Sequence, residues 1–253
     1  MKAFSKFHTH IFFVLIVLLA LMLRMNVYSV EPYCDEETYD WLAFNLSQGR
    51  LRTGTSFMSV YVKYGAAIFG GEVEPWLDHP ILYPFILSIP KLLSRILFGV
   101  DLVKFYGTRF VSMLIFCLPT IYLTMVISKR EFDTPSAIVS GLIYACVPSI
   151  ILQQKMVFLD HGVTLFSILS LYTFIKYLDS ESDSRLWVLS SIYAGMAALC
   201  KGTGLSAILA LVLAITFISR EDGFKKRLIR AISSLIIGGS LVSIYPLYGL
   251  MFN

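Results

Sequence analysis

The chain has 253 residues, 57% of them hydrophobic and 15% charged, and a mean hydropathy of +0.72. That composition excludes an ordinary soluble domain and marks an integral membrane protein. The net charge is only +4 and the basic residues are spread among polar connections, which excludes a nucleic-acid partner and leaves Lys and Arg as reporters of orientation.

Crossing ~30 Å of hydrocarbon takes about 20 mostly apolar residues per helix. The first such run starts at Ile11, behind Lys2 and Lys6, and continues past Arg24 towards Val30. Val27-Tyr28-Ser29 would pass as a signal cleavage site, but the length of the run and the spans behind it favour a signal anchor with its lysines inside. Residues 31–78 then form a polar loop, acidic at both ends (Asp35, Glu36, Glu37 and Asp40; Glu72, Glu74 and Asp78) and interrupted by glycines. Long ordered loops of this kind carry function. The first acids also suit the first turn of a helix running to Gln48, where the macrodipole favours negative charge; that role alone would be structural.

Residues 80–98 have the length of a span but not its pattern. Pro84, Ser88, Lys91 and Arg95 recur at helical spacing, and apolar residues cover the rest. The pattern predicts an amphipathic helix in the membrane interface, with Lys91 and Arg95 snorkelling to water. If it does not cross, Phe110–Ile127 runs inward, Ala137–Leu152 returns, and Gly162–Tyr177 goes back. Residues 187–199 and 205–219 then form a pair joined by the turn at Lys201, and a last run covers 231–252. Under this parity the stretch at 219–230, with five basic residues, is cytoplasmic, as the positive-inside bias requires.

The expected fold is therefore an all-α polytopic transmembrane bundle of about seven spans. Its single domain, 1–253, comprises a first span at 11–30, an extracytoplasmic loop at 31–105 with the interfacial helix, and the remaining spans at 106–253. Cys117, Cys146 and Cys200 read as small core residues. Asn45-Leu46-Ser47 matches a glycosylation acceptor but lies inside the proposed helix. There is no internal repeat.

This topology gathers Asp35, Glu36, His79, Lys155, Asp160, His161 and Lys201 at the outer membrane face, with Arg109 starting a helix there. Asp160 and Lys201 interrupt apolar sequence near the membrane boundary, where ionisable groups are functional by default. Carboxylates could take a proton from a hydroxyl, and Lys and Arg could hold phosphate oxygens. An ion pair that only steadies the bundle is the plain alternative.

Three phrases in this order resemble the GT-C membrane glycosyltransferases of the protein O-mannosyltransferase and aminoarabinose-transferase type. The first is Asp35, Glu36, Tyr39 and Ala43 after the first span, closed by Gly49. The second is "HPIL" from His79, then a helix and the Arg109 span. The third is Pro148, Lys155 and Asp160, followed by "GMAALCKGTG" with Lys201. The sequence departs from the family at Ile81, where a second proline is common, and at Lys155, where arginine is common.

The resemblance implies inverting transfer of a sugar from a polyprenyl-phosphate donor to an acceptor hydroxyl at the extracytoplasmic face. Asp35 would be the general base, with Glu36 and Asp160 shaping the site. Lys155, Lys201 and Arg109 would hold the departing phosphate, and Tyr39, His79 and His161 would complete the substrate contacts. The acceptor would be a protein, a lipid or a glycan, and in a prokaryote the enzyme would sit in the plasma membrane. No metal ligand set is demanded, although carboxylates beside phosphate suit Mg²⁺ or Mn²⁺. Family members are longer, so the chain is expected to be the N-terminal part of a larger architecture or to use a partner chain, and an inactive truncated homologue is an alternative. A lipid-phosphate-binding transporter or flippase-like protein would use the same cations without chemistry.

Overall fold

A computed structural model describes residues 2–50, 79–180, 183–219 and 223–252, and the regular structure in them is helical. Glu72, Glu74, Asp78 and the glycines at 54–71 lie outside the described residues. In chain order the helices are α1 (Lys2–Arg24), α2 (Cys34–Ser47), α3 (Leu82–Phe98), α4 (Phe105–Glu131), α5 (Thr134–Cys146), α6 (Pro148–Gln154), α7 (Leu159–Ser180), α8 (Ser184–Cys200), α9 (Leu205–Phe217), α10 (Phe224–Val242) and α11 (Ile244–Phe252). Short 3-10 turns follow α1 at Val27–Ser29 and α8 at Gly202–Gly204.

The bundle is that of a membrane protein. Ile11, Phe12, Val14, Leu15 and Leu18 of α1 and Leu235 and Ile236 of α10 are exposed, an apolar surface that suits lipid and not water. Two stretches, Phe105–Glu131 and Phe224–Met251, are long and apolar enough to cross a bilayer unaided, and α5 with α6 makes a third candidate bent by 63°. Three further apolar segments, Thr9–Arg24, Ser184–Cys200 and Gly202–Phe217, are shorter; Arg24 ends the first and Lys201 follows the second. The expected run from Ala137 to Leu152 is two helices: Val147 is extended (φ −64°, ψ 120°), as a residue before proline prefers, and Pro148 starts α6. Cys146, at the end of α5, is exposed rather than in the core, whereas Cys117 and Cys200 are buried.

Helix α3 has the predicted stripe with the opposite polarity. Pro84, Ser88 and Lys91 face the protein, while Phe85, Ile89, Leu92, Leu93 and Ile96 are exposed. Lys91 is 1% exposed and does not snorkel; its ammonium pairs with Asp40 of α2 at 2.8 Å. Arg95 donates to the Ser47 carbonyl at 3.0 Å, which also ties α3 to α2. In a lipid-facing helix the side chains that need partners turn inward, because hydrocarbon offers them none. Asn45 and Ser47 of α2 are buried, which removes the glycosylation acceptor from reach.

Helix α8 packs against α7, α9 and α10 through small residues, with Ala194, Gly195, Ala197 and Ala198 buried. Where Gly195 meets α10, an added Cβ would lie 3.0 Å from the Gly238 carbonyl oxygen. Small residues let backbones approach, and serines then bond across the gap, as Ser191 does to Ser234 at 2.9 Å. Helix α7 has 22 residues, about 33 Å of rise. It starts at the level of Asp160 and ends where Arg130 pairs with Asp179 and Arg230 donates to Tyr177. Asp160 and this basic group therefore stand at opposite ends of the bundle.

Candidate active site

The site is organised by the N-terminus of α2. Glu36 occupies its third position, and its Oε2 accepts from the Tyr33 N–H at 3.1 Å, so the side chain caps the helix that carries it. The same carboxylate accepts from Arg109 Nε (3.0 Å) and NH2 (2.6 Å) and from the Val157 N–H (2.6 Å). Both ionic side chains are fully buried.

Arg109 has five N–H donors. Two go to Glu36, and the others reach the carbonyls of Val27, Val30 and Glu31. The guanidinium also lies 5.0 Å from the Phe105 ring centroid and 5.4 Å from that of Tyr106. This departs from the expectation that Arg109 holds a phosphate and that Glu36 shapes the substrate site. Each answers the other's charge, and together they fasten α2, α4 and the segment after α1.

Asp35, the neighbour of Glu36, lines a cavity of about 560 Å³. Tyr39 and His79 share that wall, and Asp160, His161 and Lys201 complete the predicted set. Acids from two distant segments and a lysine from a third thus meet in one hollow. Lys201 follows α8 in an extended conformation, and its Nζ contacts both Asp160 oxygens, at 2.9 and 3.1 Å. Asp160 is 58% exposed and Lys201 30%, so the pair is open to solvent. His161 is buried beneath them; its Nδ1 lies 3.5 Å from Ser112 Oγ, which is 2.6 Å from the Tyr83 hydroxyl.

Lys155 is placed differently from its expectation. It caps α6, is buried, and donates to Ser29 Oγ at 3.0 Å; it is not among the described residues that line the cavity. The bend at Pro148 turns α6 so that Gln153 and Gln154 line the wall instead.

Sequence reasoning missed those glutamines, and Tyr33, Tyr144, Phe158 and Thr164 with them. It also missed Arg24. That side chain is fully buried, donates to Gln154 Oε1 at 2.7 Å, and caps the last carbonyls of α5 at Tyr144 (3.1 Å) and Ala145 (2.9 Å). Two adjacent glutamines after an apolar run were a usable signal; a lone arginine at the end of a span was not. Among the described residues no three His, Cys, Asp or Glu side chains gather to hold a metal ion.

The helical bundle, with apolar faces turned outward and a cavity bearing carboxylates and a lysine at one end, is that of a membrane protein with one polar candidate site. The chain belongs to the dolichyl-phosphate-mannose-protein mannosyltransferase family, whose profile matches residues 78–247. The match takes in His79, Arg109, Lys155, Asp160, His161 and Lys201, and it begins after α2, so Asp35, Glu36 and Tyr39 stand outside it. No curated protein and no solved structure matches the chain.

Proposed function

We propose that the protein transfers a sugar from a polyprenyl-phosphate carrier to an acceptor hydroxyl, with inversion, at the extracytoplasmic face. The reading is carried by one observation: Asp35 and Lys201, from opposite parts of the chain, line the same cavity. Its volume, about 560 Å³, falls within the range of small-molecule sites.

Asp35 takes the proton from the acceptor hydroxyl as that oxygen bonds to the sugar's anomeric carbon. The bond from that carbon to the phosphate oxygen breaks, and its electron pair leaves with the phosphate. Negative charge builds on the leaving oxygen, where the Lys201 ammonium is favoured. His79, His161 and Tyr39 line the same cavity, which supports assigning them to the sugar. The extracytoplasmic placement is supported by the position of Arg130 and Arg230 at the end of the bundle away from the cavity.

The test is Asp35→Asn in membranes supplied with radiolabelled polyprenyl-phosphate mannose and detergent-extracted acceptors. Transfer falls by about 10²–10⁴-fold while donor binding persists, because the amide keeps the shape and loses the base. Undiminished transfer excludes Asp35 as the base, and a transporter would move the carrier equally well in both proteins.

A further inference from the structure

Two of the three cations expected around the donor phosphate are committed elsewhere, Arg109 to Glu36 and Lys155 to Ser29. Among the described residues lining the cavity, the formal charges are Asp35 and Asp160 against Lys201. Carboxylates thus outnumber the ammonium in the described wall. A phosphate entering this space meets two carboxylates and one ammonium already held at two points.

We infer that Asp160 is a stand-in for the phosphate: it occupies Lys201 while the cavity is empty, and an anionic ligand engages Lys201 only by taking its place. The inference rests on the reading that the cavity takes a polyprenyl phosphate. Three observations support it. Both Asp160 oxygens face the one ammonium, at 2.9 and 3.1 Å, which is the arrangement two phosphate oxygens would adopt. The pair is solvent-open, and exchange of an exposed ion pair for another anion costs little. The Glu36–Arg109 pair is fully buried and saturated, so it cannot trade partners in this way.

The consequence concerns affinity and release. A carboxylate returning to Lys201 competes with the freed phosphate, so the residue weakens product binding and hastens turnover. Asp160 acts through Lys201, as a positioning residue, and takes no proton.

The experiment measures polyprenyl phosphate binding to the whole chain in nanodiscs, with inorganic phosphate as a second probe lacking the lipid. Asp160→Asn and Asp160→Ser are compared with the unaltered protein, and Asp160→Asn is repeated with Lys201→Gln. Release of Lys201 predicts polyprenyl phosphate binding about three- to tenfold tighter in both Asp160 variants, with the gain abolished when Lys201 is gone. A gain for polyprenyl phosphate alone assigns the site to the lipid carrier, and a parallel gain for inorganic phosphate assigns it to the phosphate group as such.

Equal or weaker binding in both folded Asp160 variants overturns the inference, as does a gain that persists in full with Lys201→Gln. The reading of function fails separately: if the unaltered protein binds neither polyprenyl phosphate nor its mannose ester, the carrier reading and the stand-in fall together. If it binds them and Asp160→Asn changes nothing, only the stand-in falls.

Discussion

Arg109 and Glu36 form a buried two-point ion pair, 3.0 and 2.6 Å, in which every guanidinium N–H has a protein acceptor. Its position, one residue from Asp35, makes it the support on which the proposed base stands. Removing either partner strands a charge in the protein, which costs about 3–5 kcal/mol. Glu36→Gln and Arg109→Met should each lower the unfolding free energy in detergent by that order, and the double variant should cost less than their sum. Additive losses would show that the two do not act as a pair.

The second lock, Lys91 to Asp40, predicts an unequal pair of effects. Lys91 is buried and Asp40 is partly exposed, with Thr108 also donating to Asp40. Asp40→Asn leaves a buried ammonium with neutral acceptors, the Val103 carbonyl and the amide oxygen, and no counter-charge, and should cost about 3 kcal/mol. Lys91→Met leaves a carboxylate that can reach water and should cost about 1 kcal/mol. Thermal unfolding of the two variants in one detergent decides the order, and an equal or reversed cost would mean that Lys91 reaches solvent.

These locks mark the limit of what the sequence discloses. The order Asp35, His79, Asp160, Lys201 was readable because ionisable residues beside apolar runs have few structural explanations. Helical periodicity placed Pro84, Ser88 and Lys91 on one face of α3, but spacing does not say which face turns inward, and in lipid the polar one does. The direction of Lys155, towards Ser29, was not legible because it depends on the bend at Pro148, a feature that the residue before a proline announces but whose angle it does not fix. Arg109 looked like a phosphate ligand because its five acceptors come from backbone carbonyls and a carboxylate that meet only in the folded chain.

Glycine at position 204 should not tolerate a side chain. An added Cβ would lie 2.2 Å from the carbonyl carbon and oxygen of Ala197, and backbone cannot swing aside as a side chain can. Gly204→Ala should cost at least 1–3 kcal/mol, roughly the price of overpacking, and displace the turn that carries Lys201. Gly239, with open space at the same point, is the control: inside a helix, Gly239→Ala should be neutral or stabilising by up to about 1 kcal/mol. Loss of donor binding in Gly204→Ala alone would tie the α8–α9 turn to the cavity, whereas full retention would separate them.

The two ends of the bundle predict opposite labelling. Thr203 lies in the turn beside Lys201, at the level of the cavity, while Gly223 precedes the basic start of α10. With Lys129, Arg130 and the lysines of α10 gathered at that second end, the positive-inside bias puts Gly223 in the cytoplasm and Thr203 outside. In a background with Cys34 and the exposed Cys146 replaced by serine, a membrane-impermeant maleimide added to intact cells should label Thr203→Cys and spare Gly223→Cys until the membrane is broken. The reverse pattern would place the cavity on the cytoplasmic side. A carrier-linked sugar would then be met before it crosses the membrane, and the acceptor would have to be a cytoplasmic one.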